Sequence, residues 1–188
     1  MISQADRLTV RLGDEDHPAA LVGVAPDKDL AVLRVDAPRE LFSPVDLGSS
    51  EGLLVGQRVL ARLDLNVPVR DGEVLDDTRI NAALPTLRWL LERSDMVAAC
   101  SHLGKAKGAP DPAYSLAPVA ATLERALGRP VAFVADCLDP SPAGAEPGSL
   151  LLLENLRFHP GEKANDPEFS RRLAAPFSHY VNDAFGTA

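Results

Sequence analysis

Apolar residues in the first third of the chain fall at every second position. Leu8, Val10 and Leu12 alternate with polar neighbours, and Gly13-Asp14-Glu15-Asp16 reads as a turn. Ala20 to Val24 supplies a second strand, and Asp29 to Val35, after Pro26-Asp27-Lys28, a third. A two-residue period is that of half-buried antiparallel β structure, but so few strands leave edges that a whole barrel would close. From Arg58 the period changes. Arg58 to Leu63, Met96 to Cys100, Val131 to Val134, Leu150 to Leu153 and Tyr180 to Asn182 are short, mostly apolar runs without alternation. Between the first two, Ile80, Ala83, Leu84, Leu87, Leu90 and Leu91 recur at helical spacing behind Asp77-Thr78, which can cap a helix; Trp89 flanks that stripe as a packing residue. A second helix runs from Ser115 to about Leu127, stopped by Gly128 and Pro130. After an exposed connection from Pro140 to Gly148, a third helix starts at Asp166-Pro167-Glu168, with proline at its first position and acid near its positive end. Unalternating strands that alternate with helices predict an α/β fold, a parallel Rossmann-like sheet flanked by helices. The organisation predicted is therefore an antiparallel β segment over residues 1–57 and an α/β domain over 58–188.

In a parallel sheet, ligands collect beyond the carboxyl ends of the strands. The strand at Leu150 to Leu153 runs straight into Asn155, Arg157 and His159, and two other strand ends offer Asp64 with Asn66 and His102 with Lys105. Arg79 opens the helix behind the first of them. Three cations and a histidine suit a small, multiply charged anion, because arginine grips carboxylate or phosphate with two parallel donors. Asp64 and Asn66 can exchange hydrogen bonds with a hydroxyl on the same molecule. The ligand deduced is a phosphorylated hydroxy acid.

Composition narrows the picture further. With 188 residues and 46% hydrophobic content the chain can bury a real core. The formal net charge of -8 argues against a nucleic-acid surface. No apolar run approaches the roughly 18 residues of a membrane span, and no basic segment and apolar core follow Met1. The expected location is the cytoplasm, or a chloroplast if a transit peptide has been removed. Cys100 and Cys137 lie in apolar contexts with no second cysteine or histidine at metal-ligand spacing. They read as reduced core residues, and no metal site is predicted.

Two resemblances follow from longer runs of sequence. Leu21 to Val35, which contains Asp29-Leu30-Ala31-Val32-Leu33, together with Asp46-Leu47-Gly48-Ser49-Ser50 and Leu54-Val55-Gly56-Gln57, is similar to the HtrA/Deg trypsin-like serine proteases. That resemblance makes Asp29 the counterpart of the triad acid. The nucleophile and histidine contexts of the family are absent, and without them a triad Asp has nothing to orient. Arg58 to Val69, Asp76 to Ile80, Ala83 to Thr86, Ser101 to Gly104, Leu151 to Gly161 and Tyr180 to Ala188 resemble the amino-terminal domain of phosphoglycerate kinase. This implies that Asp64, Leu65, Asn66, Arg79, His102, Leu103, Gly104, Lys105 and Arg157 form a 3-phosphoglycerate or 1,3-bisphosphoglycerate site, with Arg79 as the catalytic candidate. Lys105-Ala106 stands where that family usually has Arg-Pro, which replaces a forked donor with a point charge. In the family Mg-ATP or Mg-ADP is held by a carboxyl-terminal domain that would follow Ala188, so no cofactor is expected within these residues. Gly104-Lys105-Ala106-Lys107-Gly108 lacks the phosphate-loop spacing and the following Ser or Thr. The expectation is an incomplete kinase, inactive alone; the alternatives are a non-catalytic chimeric or interaction module that recruits partners through strand edges, or a protease remnant.

Overall fold

The computed structural model describes residues 8–25, 30–42, 57–139 and 148–184. The chain divides into two compact units, residues 1–50 and 51–188, where the sequence pattern puts the division after residue 57. Asp29, the protease-like motifs from Asp46 to Ser50 and Leu54 to Gly56, and residues 140–147 of the expected connection lie outside the described residues.

In the first unit β1 (Leu8–Leu12), β2 (Glu15–Ala25) and β3 (Leu30–Val35) pair antiparallel in the order β1-β2-β3. The turn between β1 and β2 is shorter than the four residues expected, because Gly13 takes φ +63 and lets two residues reverse the chain. Glu15 and Asp16 therefore belong to the strand, and Asp16 sits opposite Arg11 as a two-pronged ion pair at 2.8 and 3.0 Å. No described residue of this unit is fully buried.

The second unit is built on a five-stranded sheet in the order β10-β4-β7-β9-β8, parallel throughout. Its strands are β4 (Arg58–Leu63), β7 (Met96–Cys100), β8 (Val131–Val134), β9 (Leu150–Leu153) and β10 (His179–Asp183). Successive side chains alternate between faces, and both faces are covered. Val59, Ala61, Leu63, Val97, Ala99, Leu150 and Leu152 enter one core, which also holds Ile80, Leu84 and Leu87 of α1 (Thr78–Leu91) and Val119 and Leu123 of α2 (Ala117–Leu127). Leu60, Ala98, Cys100, Leu151 and Leu153 enter the other, closed by Phe169 and Leu173 of α4 (Pro167–Ala174). The four leucines of β9 are 0–1% exposed. At about 1.5 to 3 kcal/mol each, their burial alone contributes on the order of 10 kcal/mol as an upper bound.

Three local features depart from the sequence reading. Asp77 precedes α1 without a side-chain cap bond; Asp76 Oδ1 instead accepts from Thr78 N at 2.9 Å. The Asp71-Gly72 turn closes a small hairpin of β5 (Val69–Arg70) and β6 (Glu73–Val74). A one-turn helix, α3 (Pro160–Lys163), precedes α4, too short to carry a helical period. Trp89 packs against the first core, with the Arg93 guanidinium 4.6 Å above its ring.

Candidate anion-binding site

The site lies where β4, β7 and β9 end. Because these strands are hydrogen-bonded neighbours, Asp64 to Asn66, Ser101 to Gly104 and Glu154 to Arg157 emerge side by side. Buried polar residues hold the three exits together. Ser101 Oγ donates to Leu63 O at 2.8 Å and accepts from Leu65 N at 3.0 Å. Asn155, 1% exposed, accepts from the backbone N–H of Leu103 at 3.2 Å and of Arg157 at 3.0 Å, and donates to Leu103 O and Tyr114 O at 2.8 and 2.9 Å. The Glu154 carboxylate, also buried, accepts from Ser115 Oγ, Leu116 N and Asn155 N at 2.7, 2.8 and 2.7 Å. That places a negative charge at the amino end of α2, where the helix dipole favours it.

On this frame Asp64 pairs with Arg79 at 2.5 Å, and Asn66 Oδ1 accepts from Gly104 N at 2.8 Å. Arg157 Nη1 donates to Gly104 O at 2.8 Å, while its Nε lies 3.4 Å from Glu162 Oε2 without an aligned hydrogen bond, a buried donor with no acceptor among the described residues. Glu162 Oε1 also accepts from Arg62 Nη2 at 3.2 Å. The same Arg62 nitrogen lies 3.4 Å from Nδ1 of His102. Burial and then the charges of Arg157 and Arg62 push the His102 pKa down to about 4, so at neutral pH the ring is uncharged. Since arginine only donates, Nδ1 is the acceptor and the ring proton sits on Nε2.

Sequence reasoning places Asp64, Asn66, Arg79, His102, Gly104 and Arg157 at one site, and the structure joins them through these contacts. Leu65 and Leu103 differ. Both side chains are buried in the α1–α2 core, and their backbone N–H groups are taken by Ser101 and Asn155, which fixes the loops. Lys105 is exposed and has no ion pair among the described residues. Gly104 has φ +61, and a Cβ there would stand 2.4 Å from Tyr114 Cδ1, so only glycine fits both the backbone and the space.

Arg62 and Glu162 are the positions that the sequence reading does not single out. Arg62 carries one available signal, a charge inside an otherwise apolar strand. Glu162 carries none, since its hydrogen-bonded partner Arg62 is 100 residues away. Two cavities flank the cluster: one of about 310 Å³, bordered by Asn66, Val69, Leu103, Gly104 and Tyr114, and one of about 440 Å³, bordered by Arg62, Glu162, Phe169, Tyr180 and Asn182.

A wholly parallel five-stranded sheet that gathers arginines at adjacent strand ends places the second unit in the open-sheet α/β class. Comparison with known proteins specifies it. Residues 51–188 match the family model described as phosphoglycerate kinase, and the chain belongs to that family. A phosphoglycerate kinase of Rubrobacter xylanophilus is 55% identical over 139 residues, covering 72% of this chain and 35% of the relative. A chloroplastic phosphoglycerate kinase of Volvox carteri is 45% identical over 175 residues, 87% of this chain and 37% of its own. That match is longer than residues 51–188 and so reaches into the amino-terminal unit. The solved phosphoglycerate kinase of Coxiella burnetii superposes with a TM-score of 0.68 at 39% identity, over 76% of this chain and 36% of that one. The chain thus spans about a third of the length of these relatives. The family match begins at residue 51, and these comparisons do not support a protease likeness for the residues before it.

Proposed function

We propose that residues 51–188 form the 3-phosphoglycerate-binding half of a phosphoglycerate kinase, the enzyme that moves a phosphoryl group between 1,3-bisphosphoglycerate and ADP to give 3-phosphoglycerate and ATP. The observation that carries this reading is the convergence of Asp64, Asn66, His102, Gly104 and Arg157 at three adjacent strand ends, with Arg79 of α1 paired to Asp64. Around them Arg62, Arg79, Arg157 and Lys105 outnumber the carboxylates of Asp64 and Glu162, and His102 adds no charge. A phosphate group, at about −1.5 to −2 near neutral pH, offsets that excess, and a carboxylate finds donors among the same side chains. Arg157 has a buried N–H to offer, Arg79 a half-exposed guanidinium, and Asp64 accepts a hydroxyl proton once Arg79 turns to the ligand.

A nucleotide with its magnesium does not fit these residues. The Gly104 to Gly108 segment leads into a 3-10 turn at Pro112–Tyr114, not into a helix whose amino end could cradle phosphates. We assign the nucleotide to sequence outside these residues, and assign no turnover to the 188 residues alone. Phosphoryl transfer depends on metal ions and donors around the moving group. Among the described residues no helix is long and apolar enough to cross a membrane; the reading places the protein in the cytoplasm or, as the name of the Volvox relative suggests, in a chloroplast. For the first unit the reading is a remnant of a trypsin-like barrel, supported by the likeness of Leu21 to Val35 and by the antiparallel pairing of β2 and β3.

Calorimetry with 3-phosphoglycerate tests the assignment. Arg157→Ala should weaken binding by about 1.5 to 3 kcal/mol, the worth of hydrogen bonds to a charged group, and added salt should weaken the parent chain. Equal affinity in both proteins removes Arg157 from the site.

A further inference from the structure

Outside the candidate anion site, the turn after β8 supplies two adjacent donors and the turn after β9 a third, which follows them by more than twenty positions. Asp136, Cys137 and His159 each offer one ligand atom, and these atoms all lie within 4.8 Å of one another. His159 Nε2 is 3.1 Å from Asp136 Oδ1, which also accepts from Leu138 N at 2.9 Å. The Cys137 thiol is on the inner side, 1% exposed, while Asp136 is exposed and the His159 side chain partly so.

We propose that Asp136, Cys137 and His159 bind a divalent transition-metal ion of zinc type. A thiolate and an imidazole select a borderline-soft ion over magnesium or calcium, which take oxygen ligands. Ligand atoms about 2.0 to 2.3 Å from zinc at tetrahedral angles stand roughly 3.3 to 3.8 Å apart, so closure needs shifts of about 1 Å. Two of the three residues are adjacent in one turn and the third lies in a surface turn, so those shifts are available without moving the sheet. On binding, the Cys137 S–H bond gives way to a sulfur–metal bond and its proton leaves to solvent. The hydrogen bond between His159 Nε2 and Asp136 Oδ1 is given up and the ring carries its proton on Nδ1 instead, so that Nε2 lends a lone pair, Asp136 a carboxylate oxygen, and water takes the fourth position on the exposed side. The ion would tie the end of β8 to the turn that opens α3, the helix that carries Glu162.

Cobalt(II) is the spectroscopic probe, titrated into the full chain after treatment with chelator and reductant, with zinc(II) and differential scanning calorimetry as the second readout. The expected result is one equivalent bound, a thiolate-to-cobalt charge-transfer band, release of about one proton, and a rise in Tm with zinc. Cys137→Ser should abolish the band. His159→Gln and Asp136→Asn, both at the surface, should each weaken binding at least about tenfold, the lower range for lost metal-site support. A folded parent chain without the band overturns the proposal. So does a band that survives Cys137→Ser, or an affinity indifferent to both surface variants, which marks an adventitious ion only.

Discussion

Replacing Asn155 with alanine removes four hydrogen bonds at once. The amides of Leu103 and Arg157 lose their acceptor, and the carbonyls of Leu103 and Tyr114 lose a donor. An orphaned buried polar group costs about 1 to 3 kcal/mol. Carbonyls, with two lone pairs, tolerate a lost partner better than amides do. The two amides alone therefore set a cost of about 2 to 6 kcal/mol, and one water entering the vacated space recovers part of it. The expected loss is about 3 kcal/mol. Urea unfolding followed by circular dichroism measures it as a fall in the midpoint with the slope unchanged. Asn155→Asp is the companion variant: it keeps the acceptor and turns a second oxygen toward two carbonyls, so it should also destabilise. A loss under about 1 kcal/mol in both would show that the β7 and β9 exits are held by the strand ladder itself and not by this side chain.

Lowering pH should destabilise the fold through His102. Its folded pKa of about 4 lies below the ordinary value of 6.5, so the neutral ring's contribution is complete above pH 6.5. It is lost as pH falls toward 4, because the unfolded chain takes up the proton first. Thermal midpoints of the parent and His102→Gln across that window should converge at the acid end, and a parallel pair of curves refutes the assignment. Gly104→Ala should lower stability by about 1 to 3 kcal/mol, since it combines a strained φ with an overpacked contact against Tyr114; Gly104→Ala/Tyr114→Ala, by removing the obstruction, should recover part of that in the same denaturation assay.

Much of this was legible in the sequence wherever burial on two faces or one helical stripe is the controlling force. Leu150 to Leu153 reads as a parallel strand because no side chain on it meets water, and Ile80 to Leu91 reads as a helix because one stripe meets the sheet. The strand ends then locate Asp64, His102 and Arg157 without any pairing being known. What eluded the pattern depends on distance in sequence. Glu162 looks like a solvated acid until β4 brings Arg62 beside it. Leu65 and Leu103 sit within site motifs, yet the alternation of the strands they follow sends their side chains into the core. The hairpin of β5 and β6 was too short to show a period, although its Asp71-Gly72 turn was plain.

Alternation along β4 has one more consequence. Val59, Ala61 and Leu63 face α1 and α2 while Leu60 faces α4, and Arg62 reaches Glu162 because it follows Leu60 by two. Inserting or deleting one residue within Arg58–Leu63 exchanges the two sets, driving the guanidinium among leucines and turning a leucine toward Glu162. This segment can therefore drift by substitution, or change length in steps of two, but a single-codon slip within it costs the core and the Arg62–Glu162 contact together. Homologous segments should keep their length here even where their residues differ.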